Sequence, residues 1–267
     1  MPELPEVEVT RQRLELDVVG KTFEAVAVRT PKLRLPLPAE LGAILAGRTV
    51  RAVARRGKYL LFDCEGGWLI IHLGMTGFLR LLSRSTAPTK HDHIDFVFTS
   101  SEVLRFHDPR KFGTIAWTTD DPLAHPLLAR IGPEPITWAF DGNYLFAVSR
   151  ARRVAVKQLL MNAAVVAGVG NIYANEALFR AGIRPIRAAG SLTLQECARL
   201  AATVKKVLEE SLTQGSTYQV AEETVTYHPL VFDVYGRGGG TCLRCGSALE
   251  ETRLGNRSTV WCPGCQK

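Results

Sequence analysis

Apolar residues recur along this chain in two different rhythms, and the change between them divides it. In the first half they come in short runs, Thr49–Ala54, Tyr59–Phe62, Trp68–Ile71, Ile94–Phe98 and Val103–Phe106, each bounded by Gly, Asp or Ser. Runs of that length between turn residues read as strands, and turns this tight favour antiparallel pairing over βαβ units. Two antiparallel sheets packed as a sandwich follow. Ahead of them, residues 5–18 place Val7, Leu14 and Val18 at helical spacing behind Pro5, with Glu6 and Glu8 in the first turn, which predicts a leading helix.

The second half is helical. A short amphipathic helix is expected over residues 151–161. A second, over Asn171–Ala181, is closed by Gly182, with Asn171 at its N-cap. Thr193-Leu-Gln-Glu196 is a capping box for a third, whose face (Leu194, Cys197, Leu200, Ala201, Val204, Val207, Leu208) keeps the 3.6 spacing until Gly215. The Pro-rich stretch ending in Ile131-Gly-Pro-Glu-Pro135 marks a linker. The expected organisation is a β-sandwich domain over residues 1–130, a linker over 131–148, a helical domain over 149–235 and a cysteine-rich module over 236–267. The fold class is α+β.

Composition narrows the functional classes. The chain has 267 residues, 46% of them hydrophobic and 22% charged, enough to bury a core in each of two domains. Lys and Arg outnumber Asp and Glu by 33 to 26, a net charge of +7 that favours an anionic partner, nucleic acid foremost. The N-terminus lacks the basic and apolar regions of a signal peptide, and the longest apolar stretch, Trp68–Ile71, is far too short to span a bilayer. No membrane association and a reducing cytosol are expected.

Four of the six cysteines cluster as Cys242-x-x-Cys245 and Cys262-x-x-Cys265, sixteen residues apart. Two such knuckles can present four thiolates tetrahedrally to one Zn²⁺, and the sulfur set leaves no open position, so the ion is structural. Glu250–Trp261, with its Gly255-Asn256 turn, reads as a β-hairpin between the knuckles. Arg257 at its tip is a candidate phosphate contact, with a solvated arginine the alternative. The segment Val165–Tyr173, with Gly168 and Gly170, joins two helices; it is either a phosphate-binding helix start or plain helix packing. Arg55-Arg-Gly-Lys58 is either a phosphate clamp or a basic surface strand.

The order of five further motifs is specific. They are Pro2-Glu-Leu-Pro-Glu6, Arg56-Gly-Lys-Tyr59, His72-Leu-Gly-Met-Thr-Gly77, Asp108-Pro-Arg-Lys-Phe-Gly113 and Gly168-Val-Gly-Asn-Ile-Tyr-Ala-Asn-Glu176. With the four-cysteine finger they make the chain resemble the formamidopyrimidine-DNA glycosylases along essentially its whole length. The resemblance implies a bilobal enzyme with a helix–two-turns–helix domain, acting as a monomer on double-stranded DNA that carries oxidised purines or abasic sites. It further implies that Pro2, freed by removal of Met1, is the Schiff-base nucleophile and Glu3 the proton donor, with Glu6 in support. Lys58 and Arg257 would be proton donors for the β- and δ-eliminations as well as phosphate contacts. His91 and Asn171 match further phosphate contacts, and Met75, Arg110 and Phe112 match the residues that fill the hole left by an extruded nucleotide. Lys157 and Glu176 match positions near the base pocket, whereas His72 and His93 are read as structural.

The resemblance is weakest over residues 215–234, where the Arg-Asp pair and the glycines of the family's base-capping loop are absent; Asn162 also stands where Asp is usual. A shortened cap implies a weaker preference for 8-oxoguanine, leaving formamidopyrimidines as the better substrates. Two alternatives remain at this point. One is an endonuclease VIII-like enzyme for oxidised pyrimidines, disfavoured by Phe112 and by Leu4 after Glu3. The other is a non-catalytic DNA-binding zinc protein, disfavoured by the retained Pro2, Glu3 and Lys58.

Overall fold

The computed structural model describes residues 2–213 and 231–267, together with two two-residue strands in the intervening segment. It divides into two compact units, the first made of residues up to 129 together with 215–228, the second of 130–214 and 229–267.

In the first unit, helix α1 (Leu4–Val18) starts in a capping box built by Glu3 and Glu6, and buries Leu4, Val7, Leu14 and Val18. It ends where Val19 turns extended and Gly20 takes a positive φ of 83°. Eight strands follow: β1 (Phe23–Val28), β2 (Val50–Arg56), β3 (Tyr59–Cys64), β4 (Gly67–His72), β5 (Phe78–Ser83), β6 (Asp92–Phe98), β7 (Glu102–His107) and β8 (Thr114–Thr118), with a short helix α2 (Leu41–Leu45) after β1. They form two antiparallel four-stranded sheets, ordered β1-β6-β7-β5 and β2-β3-β4-β8, the expected sandwich. Phe23, Phe62, Phe96, Phe98 and Phe106 fill the core between them.

Three strands escape the hydrophobic pattern, β1, β5 and β8, and all three are sheet edges. An edge strand has only one hydrogen-bonded neighbour and exposes more of its side chains, so its alternation is diluted by polar residues such as Glu24 and Arg80. Central β6 is buried along its whole length although it carries Asp92, His93 and Asp95. The charges are matched: Arg105 donates to both oxygens of Asp95 at 2.7 and 2.9 Å, Arg29 reaches the same carboxylate at 2.6 Å, and His107 and Arg80 reach Asp92 at 2.8 and 3.2 Å. Burial works to raise the Asp95 carboxyl, but the hydrogen bonds from Arg105 and Arg29 outweigh it and hold it below the usual carboxylate range.

The second unit contains α3 (Gly142–Ser149), α4 (Val156–Leu160), α5 (Asn171–Arg180) and α6 (Leu194–Thr213). The capping box of α6 is formed, with Glu196 N–H donating to Thr193 Oγ1 at 3.2 Å and Thr193 N–H to Glu196 Oε2 at 2.8 Å. Three readings change here. The stretch expected to be linker over 131–148 contains most of α3, capped by Asp141, whose Oδ1 accepts from Tyr144 N–H at 2.7 Å. Gly142 lets α3 press against α6, since a Cβ there would stand 2.5 Å from the Ala198 Cα. Second, the N-cap of α5 is Gly170, and Asn171 is its first helical residue. The helix expected over 151–161 is shorter, spanning only Val156–Leu160, with residues 151–155 outside it.

Beyond α6, strands β9 (Gln219–Val220) and β10 (Val225–Thr226) pair antiparallel. The departures from the family pattern over residues 215–230 otherwise fall outside the described residues. Strands β11 (Glu250–Leu254) and β12 (Arg257–Trp261) form the expected hairpin, with Gly255 and Asn256 both at positive φ, 54° and 61°, as a type I′ turn requires. The finger does not stand apart: Val234, Leu249 and Val260 pack with Phe179 of α5.

Candidate active site

Pro2 and Glu3 are held by the way α1 begins. Glu3 occupies the N-cap with an extended backbone; its carboxylate accepts the N–H of Glu6, and the Glu6 Oε2 accepts the N–H of Glu3 at 2.8 Å. This reciprocal box satisfies donors that a helix start otherwise leaves open. It also fixes the Pro2–Glu3 peptide, so the Pro2 ring and the Glu3 carboxylate are presented from a rigid helix terminus. Pro2, Glu3 and Glu6 are all buried.

Lys58 follows the β2–β3 turn, where Gly57 takes a φ of 57°. Arg55 does not act as a free phosphate clamp. Its Nε donates to Glu8 Oε2 at 2.8 Å, and it donates to the Gly57 carbonyl at 3.1 Å. The arginine thus ties the turn carrying Lys58 to helix α1. On β4, opposite Tyr59, the His72 ring lies 4.6 Å from the Tyr59 ring, and its Nδ1 accepts the Gly74 N–H at 2.9 Å. Accepting at Nδ1 requires a neutral ring with the proton on Nε2. Burial, helped by the nearby Lys58 and Arg34 charges, drives its pKa down to about 4. Arg34 is a basic residue beside the site that has no pattern in the sequence to mark it.

Met75, Arg110 and Phe112 are brought together by two loops. Gly74, at φ 70°, lies so close to the second loop that a Cβ would stand 2.5 Å from the Phe112 carbonyl carbon. The Arg110 guanidinium lies over the Phe112 ring, 4.6 Å from its centroid, and Phe112 is 40% exposed, a large apolar surface offered to solvent. His91 adjoins the same loop, its carbonyl accepting the Asp108 N–H at 3.0 Å and its ring edge-on to His107 at 5.8 Å. His93, read as structural, has its Nε2 2.9 Å from the Asp108 carbonyl.

In the second unit, Asn171 opens α5, and its buried Oδ1 has no hydrogen-bond partner. Glu176 spends its carboxylate on the backbone: it accepts from the N–H groups of Asp233, Val234 and Tyr235 at 2.8, 2.9 and 2.8 Å. Lys157 is fully buried, and its ammonium donates to the Ser258 carbonyl at 2.6 Å and to Thr259 Oγ1 at 2.7 Å. It joins α4 to the hairpin at the two residues directly after Arg257, which is itself half-buried. The Asn175 Oδ1 adds a second tie, accepting the Val260 N–H at 3.1 Å.

The four clustered cysteines place their sulfurs within 4.8 Å of one another, with Cys245 and Cys262 at 3.4 Å and Cys242 and Cys265 at 4.0 Å. Tetrahedral Zn²⁺ with bonds of about 2.3 Å sets its sulfurs about 3.8 Å apart, so the cluster fits one structural zinc ion.

Three family models match in order: the formamidopyrimidine-DNA glycosylase N-terminal domain over residues 1–115, its H2TH domain over 131–222, and a zinc finger found in FPG and IleRS over 239–267. The chain is 73% identical to formamidopyrimidine-DNA glycosylase of Geobacter metallireducens and 72% to that of Pelobacter propionicus, with all of this chain and all of each relative covered. Among solved structures it is similar to the Lactococcus lactis Fpg in complex with DNA containing an abasic site (32% identity, TM-score 0.90, 99% of both chains). It is also similar to the MutM (FPG) protein of Thermus thermophilus (39% identity, TM-score 0.86, 99% of this chain and 98% of that one).

Proposed function

The chain belongs to the formamidopyrimidine-DNA glycosylase family, and we propose that its nucleophile is the ring nitrogen of Pro2, released by removal of Met1. The protein is a base-excision DNA repair glycosylase. The observation that carries the residue assignment is the Glu3–Glu6 box, which buries Pro2 and two carboxylates in one helix terminus.

An α-amino group has a reference pKa of about 7.7–8.0, so part of it is neutral at physiological pH. Neutral Pro2 attacks the sugar C1′; the C1′–base bond breaks and its electron pair leaves with the base. Glu3 delivers a proton to the sugar ring oxygen as the ring opens. Because proline is a secondary amine, the adduct is an iminium ion that is cationic without protonation. It withdraws electrons from the adjacent carbon and acidifies its proton, so the 3′ phosphate is expelled by β-elimination and the 5′ phosphate by δ-elimination. Lys58 and Arg257 supply protons for these two steps and contact the phosphates, a role shared by His91 and Asn171. Lys157 and Glu176 serve the same end indirectly, by holding the finger and the residues that follow the cap. Met75, Arg110 and Phe112 occupy the space of the extruded nucleotide, with Arg110 hydrogen-bonded to the orphaned cytosine.

The substrate is double-stranded DNA with oxidised purines or abasic sites, formamidopyrimidines being preferred over 8-oxoguanine, and the enzyme works as a monomer in the bacterial cytosol. Two similar Lactococcus lactis Fpg structures are complexes with abasic-site DNA and with Fapy-dG-containing DNA, which supports that substrate class. Among the described residues no helix is long and apolar enough to cross a membrane. Borohydride reduction with abasic-site DNA tests the nucleophile: the mature enzyme yields a covalent adduct and Pro2→Gly loses most of it. No adduct from the wild type would overturn the assignment. Duplexes carrying formamidopyrimidine, 8-oxoguanine or thymine glycol then rank the bases, and a preference for thymine glycol would favour the pyrimidine-directed alternative.

A further inference from the structure

Asp108 is fully buried, and every polar atom it has is engaged. Its Oδ1 accepts Thr76 Oγ1–H at 2.8 Å and the Arg110 N–H at 3.3 Å, and its Oδ2 accepts the Gly113 N–H at 2.7 Å. Its carbonyl accepts the Lys111 N–H at 3.2 Å and faces His93 Nε2 at 2.9 Å, while its own N–H donates to the His91 carbonyl at 3.0 Å. One carboxylate therefore spans the whole Asp108–Gly113 loop and, through a single side-chain bond, reaches across to the loop of Met75.

We infer that Asp108 and Thr76 form a clasp that makes Met75, Arg110 and Phe112 enter DNA as one preset unit, so that the Thr76 hydroxyl is a positioning group for recognition of the base opposite the lesion. The inference rests on the void-filling role proposed above for those three residues. The geometry explains why the clasp is needed. Lys111, between Arg110 and Phe112, sits at φ 54°, a left-handed conformation that a side-chain-bearing residue adopts only when its surroundings hold it. Arg110 and Phe112 flank that strained residue, with the Arg110 guanidinium 4.6 Å from the Phe112 ring centroid. Without an external tether, the loop can relax and lose the stack. Thr76 supplies the tether from the Met75 side, and Gly74 lets the two backbones close to contact. A carboxylate suits the role because it only accepts, and the donors around it are a hydroxyl and two amides.

The test separates positioning from general damage. Thr76→Val removes the hydroxyl while keeping the shape and leaves the loop's own bonds to Asp108 in place. It should lower excision of a formamidopyrimidine in duplex DNA roughly tenfold, in the range that a misplacement of under about 1 Å costs. It should also shrink the ratio of turnover opposite cytosine to turnover opposite adenine. Borohydride trapping on a single-stranded abasic oligonucleotide, where there is no stack to invade, should proceed at the wild-type rate. Thr76→Ser should restore both duplex properties. Wild-type discrimination in Thr76→Val overturns the clasp, and so does an equal loss on single-stranded DNA, which marks a structural defect. Failure of the wild type itself to trap DNA would instead remove the catalytic reading on which the clasp rests.

Discussion

Arg55 Nε donates to Glu8 Oε2 at 2.8 Å, and this pair joins the turn that delivers Lys58 to the helix that delivers Pro2 and Glu3. Neither side chain is more than 15% exposed, so the pair is shielded from the screening that makes surface ion pairs weak. The two ends of the proposed chemistry are thus coupled through Arg55.

Removing Arg55 strips Glu8 Oε2 of its partner, while Oε1 keeps its bond to Arg11 Nε at 2.9 Å. Arg55→Met is expected to destabilise the first unit by about 2 kcal/mol, the loss of a charge-assisted hydrogen bond, lowering Tm by roughly 6 °C. Below that melting point it should also slow strand cleavage relative to base release, because Lys58 loses its registration while Pro2 keeps its helix. Parallel assays of base release and strand scission measure the ratio; an unchanged ratio would show that the pair is a stability element alone.

His72 makes stability depend on pH. Its folded pKa of about 4 lies below the ordinary value of 6.5, so between these values the unfolded chain binds more protons than the folded one. Stability therefore rises with pH across this window: the neutral ring costs nothing above about pH 7.5, and the penalty grows as pH falls from 6.5 to 4, reaching about 3 kcal/mol. His72→Asn can still accept the Gly74 N–H and does not titrate there. Urea midpoints for the two proteins should diverge as pH drops through the window, the wild type losing more; parallel curves would contradict the assignment of a neutral His72.

Zinc and Lys157 should act together. The protein is expected to bind one equivalent of zinc per chain. Its removal should unfold the hairpin and strand the buried Lys157 ammonium without Ser258 and Thr259. Lys157→Met removes the tie but keeps the length of the side chain. It should speed zinc loss to a colorimetric chelator several-fold, and an unaltered release rate would mean that the hairpin holds its metal without α4.

Glu176 receives three backbone N–H bonds, and truncation leaves three inward-facing donors unsatisfied. Glu176→Ala should cost about 3 kcal/mol in the stability of the second unit. The ranking of lesions should stay as in the wild type, since the carboxylate is committed to the backbone. A changed ranking at preserved stability would instead place Glu176 at the base.

Much of this protein is legible from the chain alone, for local reasons. The two rhythms of apolar residues, the Thr193–Glu196 box, the Gly255-Asn256 turn and the paired knuckles are all set by residues within a few positions of one another. Their physics is helix capping, turn dihedrals and ligand spacing, so they survive without a tertiary context. The motifs around Pro2, Lys58, Met75 and Arg110 are likewise contiguous, and they carry the chemistry. What the tertiary structure decided is what those residues are attached to. The edge strands β1, β5 and β8 acquire their identity from a neighbour far away in sequence, and α3 from the close approach that Gly142 allows against α6. Arg55 reads as a phosphate clamp or a basic surface residue until Glu8 appears beside it, and Lys157 as a residue near the base pocket until Ser258 and Thr259 are found on its ammonium. Asp108 reads as a loop residue until Thr76 reaches it. A charged side chain has the same sequence signature whether it faces solvent, a phosphate or a buried partner; only folding, which brings distant donors within 3 Å, selects among them.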